Sequence, residues 1–194
     1  MKSLRALPLL LVVAISSSAC AQQPDPRLLG EALSAAPEAF HGTATVYAFN
    51  DAGALEVIRE GDGTFFCAAD NPNVEGFEAT CWQAALDAYV RRGHELKSQG
   101  IDGRETVGMR EAEIDAGTLE WFDGEATMYL RYGENARWDE ELGEVVDSKL
   151  RYVVYTPYAT TESTGLPLEP MTPGGPWIMN PGTFRAHIML LPPN

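Results

Sequence analysis

His187 is the side chain best suited to acid–base chemistry, because an unperturbed imidazole titrates near neutrality. It lies in the apolar stretch Ala186–Leu191. A hydrolytic pair needs a carboxylate beside it, and Glu162 is the candidate. Arg151, Tyr155, Tyr158, Trp177, Asn180 and Arg185 are the candidate ligand-binding residues, on two strand-like segments and the loops between them. If those segments pair, Arg151 or Tyr155 shares a face with Arg185 and His187, since alternate residues of a strand point the same way. A stiff loop carrying Trp177 would then lid a small polar and aromatic pocket. Each residue also has a plain structural reading. His187 fits as a satisfied core histidine, Trp177 as a packing plug and the tyrosines as sheet residues.

Other motifs are incomplete. His94-Glu95 begins like H-E-x-x-H, but Ser98 stands where the second histidine must be. Thr161-x-Ser163-x-Gly165 lacks the first glycine of a nucleophile elbow. Gly61-Asp62-Gly63 reads as a hairpin turn rather than a phosphate cradle. From Glu111 to Asp147 there are 12 acids against Arg131 and Arg137. Asp139-Glu140-Glu141 with Glu144 and Asp147 could gather a hard cation, but acid density without converging oxygens reads as a solvated face. His41 and His94 read as surface residues. No metal site and no cofactor is expected.

The elements that must position these residues follow from periodicity. Arg27–Ala36 reads as a short helix stopped by Pro37. Thr43–Phe49, Leu55–Arg59 and Thr64–Cys67 read as a meander, with turns at Asn50–Gly53 and Gly61–Gly63. Ala68–Glu78 is an acidic loop. The main helix is predicted over Cys81–Ser98, with Thr80-x-x-Gln83 as a capping box and Trp82, Leu86, Tyr89, Gly93 and Leu96 as its stripe. Asp87 and Arg91 face outward as an i,i+4 pair. Gly93 costs about 1 kcal/mol in helix propensity, which predicts close packing against another backbone. Arg104–Ala116 is a second, weaker helix capped by Gly117. Ala126–Tyr132 and Lys149–Thr156 are strands around the long acidic connection Gly133–Ser148. Eight of the 13 prolines fall from Pro157 onward, so Thr156–Pro176 reads as loop, before a final strand Phe184–Leu191. The fold class is therefore α+β: a single domain over 27–194, with about five or six mainly antiparallel strands, the main and second helices packed on them, and Pro-rich C-terminal loops.

With 28 acids against 14 bases and a net charge of -14, nucleic acid is excluded as a partner, since phosphate neutralisation needs clustered Lys and Arg. Docking on an anionic membrane face is disfavoured for the same reason. Met1–Ala21 reads as an export signal: Lys2 and Arg5, then the apolar Leu7–Ile15, then small residues. Two cleavage readings stand. Ser17-Ser18-Ala19-Cys20 resembles a lipobox, with cleavage after residue 19 and lipid on Cys20. Ala19-Cys20-Ala21 is a small-x-small site, with release after residue 21. The lipoprotein reading is preferred, although Ser17 departs from the usual leucine. Residues 22–26 form a tether. Any membrane association is expected only through lipid on Cys20, in a periplasmic or envelope-anchored protein.

Cys67 and Cys81 remain in the mature part. In an oxidising compartment an even pair defaults to a disulfide. It would clamp a hairpin's end onto the first turn of the main helix. The competing reading is a reactive Cys81 thiol at a helix start. The two cysteines bracketing an acidic loop, the helix that follows, and Pro176-Trp177-Ile178-Met179-Asn180-Pro181-Gly182 with Ala186-His187-Ile188-Met189 resemble a group of uncharacterised exported bacterial proteins. The resemblance covers most of the mature chain. It implies export and a single domain, and no activity. The expected function is a non-catalytic envelope protein binding a small molecule or another envelope component. The alternative is a hydrolase using His187 and Glu162.

Overall fold

The structure, a computed structural model, describes residues 23–192. The export signal, Cys20 and Gln22 of the tether lie outside the described residues. α1 (Pro26–Leu33) starts where Asp25 accepts a hydrogen bond from Arg27 N and proline occupies the first helical position. Ser34 then donates its hydroxyl to the Glu31 carbonyl, and the helix stops.

β1 (Thr45–Phe49) and β2 (Leu55–Arg59) form the expected hairpin. β3 (Phe65–Ala68) does not continue a meander, however. It lies on the far side of β1 and parallel to it. The Gly61–Gly63 segment is thus a crossing over the start of β1 rather than a hairpin turn. Asp62 N donates to Thr43 O, and Gly61 N donates to the Thr45 hydroxyl. A Cβ at Gly61 would come within 2.1 Å of Thr43 O, so only glycine lets the chain pass this close.

The largest correction concerns the main helix. β4 (Phe77–Gln83) occupies the start of the predicted helix; a 3-10 turn at Ala84–Leu86 follows, and α2 (Asp87–Ser98) begins only then. The Thr80/Gln83 capping box does not form. Gln83 Oε1 instead accepts from the backbone and hydroxyl of Thr127. Phe77, Ala79 and Cys81 are buried in strand alternation, a period of two that overrides the helical spacing of Trp82 with Leu86. From Leu86 onward the predicted stripe holds, with Leu86, Tyr89, Gly93 and Leu96 all buried.

Cys67 and Cys81 are bonded. Because Cys67 sits directly opposite Cys81 in the β3–β4 pairing, the bond lies inside the sheet and does not tie a strand to a helix.

α3 (Gly103–Asp115) is capped by the Asp102 side chain and packs on α2. β5 (Ala126–Gly133) and β8 (Lys149–Tyr155) pair throughout. The acidic connection between them is not loop alone: it contains a hairpin of β6 (Arg137–Asp139) and β7 (Glu144–Val146). Its acids build it. Asp139 accepts from Glu141 N and Leu142 N at the turn, and Asp147 pairs with Arg137. Within the Pro-rich segment, α4 (Thr161–Thr164) is a single turn closed by reciprocal Thr160–Ser163 hydrogen bonds. β9 (Trp177–Met179) is an edge strand, and β10 (His187–Leu190) lies between it and β8.

The fold is α+β, but the sheet has eight strands in the order β2-β1-β3-β4-β5-β8-β10-β9 and is mixed, exceeding the five or six antiparallel strands expected. Helices cover both faces. α1, through Leu28, Leu29 and Ala32, and Trp138 of the hairpin cover Val46, Phe65, Cys67 and Cys81. Gly30 admits that indole, since a Cβ there would lie 2.1 Å from Trp138 Cη2. On the opposite face Leu86 and Val90 cover Tyr47, Ala68, Trp82 and Ala126. Gly93 does pack closely, although its neighbour is a side chain and not a backbone. The Arg110 guanidinium of α3 lies where a Gly93 Cβ would stand 2.6 Å from Nη1. From there it donates to Tyr89 O at 2.9 Å and stacks 3.8 Å from the Tyr89 ring centre.

Candidate functional site

The C-terminal residues divide into separate places. Tyr155 and His187 are directly opposite on β8 and β10, with ring centres 5.2 Å apart. The His187 Nδ1 lies 2.7 Å from Arg185 O, so that nitrogen carries the proton and donates to the chain's own backbone. Burial holds the His187 pKa below its ordinary value, only partly offset by the Arg185 carbonyl. Tyr155 is pushed up to about 12, first by burial and then by Tyr89. Trp121, Phe184 and Tyr89 extend this aromatic cluster. Asn180 and Tyr158 both adopt positive φ in the adjoining turns. Trp177 pairs with Met189 and joins an apolar cluster with Leu130 and Val153.

Glu162 sits exposed on α4, and among the described residues no hydrogen bond or ion pair joins it to His187. Arg151 is four residues before Tyr155 on β8. It stacks on Tyr132 with its guanidinium carbon 4.3 Å from the ring centre, and its Nε is buried without a partner.

A groove of about 1100 Å³ opens at the other end of the sheet, just above the roughly 300–1,000 Å³ of small-molecule sites. Five parts of the chain build it. Phe49 ends β1, and the 50–53 turn follows. The 69–76 loop forms a wall. His94, Lys97 and Ser98 come from the last turns of α2. Thr80 and Glu78 of β4, Tyr132 of β5 and Lys149 of β8 form the floor. Asn73 Nδ2 donates to Asn50 O and ties the two rim loops together. Asn50 Oδ1 accepts from Ala52 N and Ala54 N, fixing its own turn. A second hollow of about 240 Å³ shares Tyr132 and Lys149 with the groove and reaches Leu191 and Pro192.

The groove's electrostatics are uneven. His94 meets Phe49 edge-on, with ring centres 5.2 Å apart. Burial first, and then the nearby charges of Lys97 and Arg110, hold its pKa down to about 4, so the imidazole is neutral at pH 7. It is half-buried and is not the surface residue expected from the sequence. Asp70 accepts from Glu78 N at 2.8 Å, yet burial still pushes its carboxyl up. Carboxylates of Asp70, Glu75 and Glu78 come from the loop and β4, Asp51 from the 50–53 turn, and Glu134 and Asp147 from the β5 and β8 side; Lys97 and Lys149 are the lysines among them. The stripe of α2 held a signal for His94, which sits four residues after buried Val90 and one after buried Gly93. Among the described residues, no group of three or more His, Cys, Asp or Glu side chains is placed to hold a metal ion.

No family model, curated protein or solved structure matches this chain.

Proposed function

We propose that this chain is an exported, non-catalytic protein that binds a small ligand in the groove between the end of α2 and the 69–76 loop. The observation that carries this reading is the groove itself: a ligand-sized hollow with an aromatic wall, a neutral imidazole and polar floor residues. Export is supported by the disulfide in the sheet and by the basic, apolar and small-residue order of Met1–Ala21. The binding reading is preferred to the hydrolase because no hydrogen bond or ion pair joins Glu162 to His187 among the described residues. A membrane-bound form would be held by lipid on Cys20.

The test is titration of the oxidised mature protein with glucose, citrate, spermidine and trialanine, read by melting temperature and by the His94 ring resonances. At least one probe should raise the melting temperature dose-dependently and move His94. If none moves His94, the groove is not the binding site. Intact-mass measurement of protein recovered from cells tests the export reading: cleavage after residue 19 or 21 supports it, and an uncleaved chain refutes it.

A further inference from the structure

Three floor residues of the groove stand in one row. Glu78 pairs with Tyr132 across β4 and β5, and Tyr132 pairs with Lys149 across β5 and β8. Directly paired residues share a face, so the row presents acid, phenol ring and base in sequence. Two inter-strand spacings separate its ends by roughly 10 Å. Among the described residues neither Glu78 nor Lys149 has an ion-pair partner, and they do not pair with each other. Asp70 and Glu75 lie near Glu78, while Glu134 and Asp147, the latter paired with Arg137, line the groove near Lys149. Arg151, two residues along β8 on the same face as Lys149, stacks on Tyr132 and keeps a buried Nε–H without an acceptor. Arg151 lines neither hollow and takes no part in the row. The smaller hollow adds room beside Lys149.

We propose that the groove takes a zwitterion of short-peptide length, its ammonium at Glu78, its body along Tyr132 and its carboxylate at Lys149. This rests on the groove being the ligand site. An extended chain advances roughly 3.3–3.6 Å per residue, so about three residues span the row. A polyamine would satisfy only the acidic end, and a dicarboxylate only the basic one. Each terminus would form a charge-assisted contact, the stronger kind of hydrogen bond.

The experiment compares four probes on the oxidised mature protein: trialanine, acetyl-trialanine, trialanine amide and the doubly capped peptide. Affinity is read by calorimetry, and location by the Tyr132 and His94 resonances. Trialanine should bind and move both residues, and capping either end should weaken it at least tenfold. Glu78→Gln should weaken trialanine but leave acetyl-trialanine unchanged. Lys149→Gln should do the reverse, weakening trialanine and sparing the amide. Equal binding of the doubly capped peptide at these residues overturns the zwitterion and leaves the groove standing. Shifts produced by spermidine or citrate but by no peptide do the same. If no probe moves Tyr132 or His94, the groove reading and the zwitterion fall together.

Discussion

Replacing Gly93 by alanine should destabilise this protein, although helix propensity alone favours the change by about 0.8–1.0 kcal/mol. The opposing cost comes from Arg110. A new Cβ would stand 2.6 Å from its Nη1 and 3.0 Å from its Cζ. An arginine tip usually swings aside at little cost, but this one is held three ways. It donates to Tyr89 O at 2.9 Å and to Thr106 O at 3.1 Å, and it covers the Tyr89 ring at 3.8 Å. Losing one hydrogen bond from a charged donor costs about 1.5–3 kcal/mol. Losing the ring contact costs about 0.5–2 kcal/mol. After the propensity gain, Gly93→Ala should cost about 1–4 kcal/mol net. The assay is urea unfolding followed by tryptophan fluorescence, as a double-mutant cycle with Arg110→Met. In the Arg110→Met background the same alanine should stabilise by about 1 kcal/mol, because only propensity is left to act. Stabilisation by Gly93→Ala in both backgrounds would refute the account of how α2 meets α3.

The depressed His94 pKa predicts a pH dependence of definite sign. Its folded pKa, about 4, lies below the unfolded value, so the unfolded chain binds the proton first. Stability from this residue is complete above about pH 6.5 and falls through pH 4, by roughly 3 kcal/mol in all; urea midpoints of His94→Phe should decline less than wild type across that window, and an equal decline contradicts the reading. Cys67→Ala with Cys81→Ala should cost about 3 kcal/mol, the loop-closure value for their spacing, read as a drop in melting temperature that reductant no longer deepens. Gly30→Ala should lower the melting temperature and change Trp138 emission, since its Cβ would occupy the indole's position on α1. A rise in melting temperature, as propensity alone predicts, would count against that docking.

What the sequence disclosed follows the range of the interactions. Leu55–Arg59 emerges as the strand read from its residues, and the second predicted helix differs from α3 by one residue at each end. Turn glycines such as Gly117 act locally, so local patterns reveal them, whereas the Asp102 cap was missed. Residues 77–83 were ambiguous for a physical reason. Trp82 fits both a helical stripe with Leu86 and a strand alternating with Cys81, and only the partners on β3 and β5 decide between them. The parallel β1–β3 pairing leaves no local trace, because nothing in Gly61–Gly63 says which side of β1 the chain will take. β6, β7 and β9 are three residues each, too short to show a period. Alternation did place Tyr155 and His187 on a shared face. The groove stayed hidden because its walls come from five separated segments that meet only in the folded sheet.

The position of β10 also has a consequence for how the molecule is finished. Residues 187–190 slot between β8 and β9, although 177–179 precede them along the chain. The edge therefore has nothing to dock on until the last described strand emerges. For a polypeptide threaded through a translocation pore with its N-terminus leading, the outer border would be sealed last. Passage and completion of the tertiary structure would then be coupled in time, and a chain stalled before His187 would leave β8 as an unprotected rim able to recruit another copy.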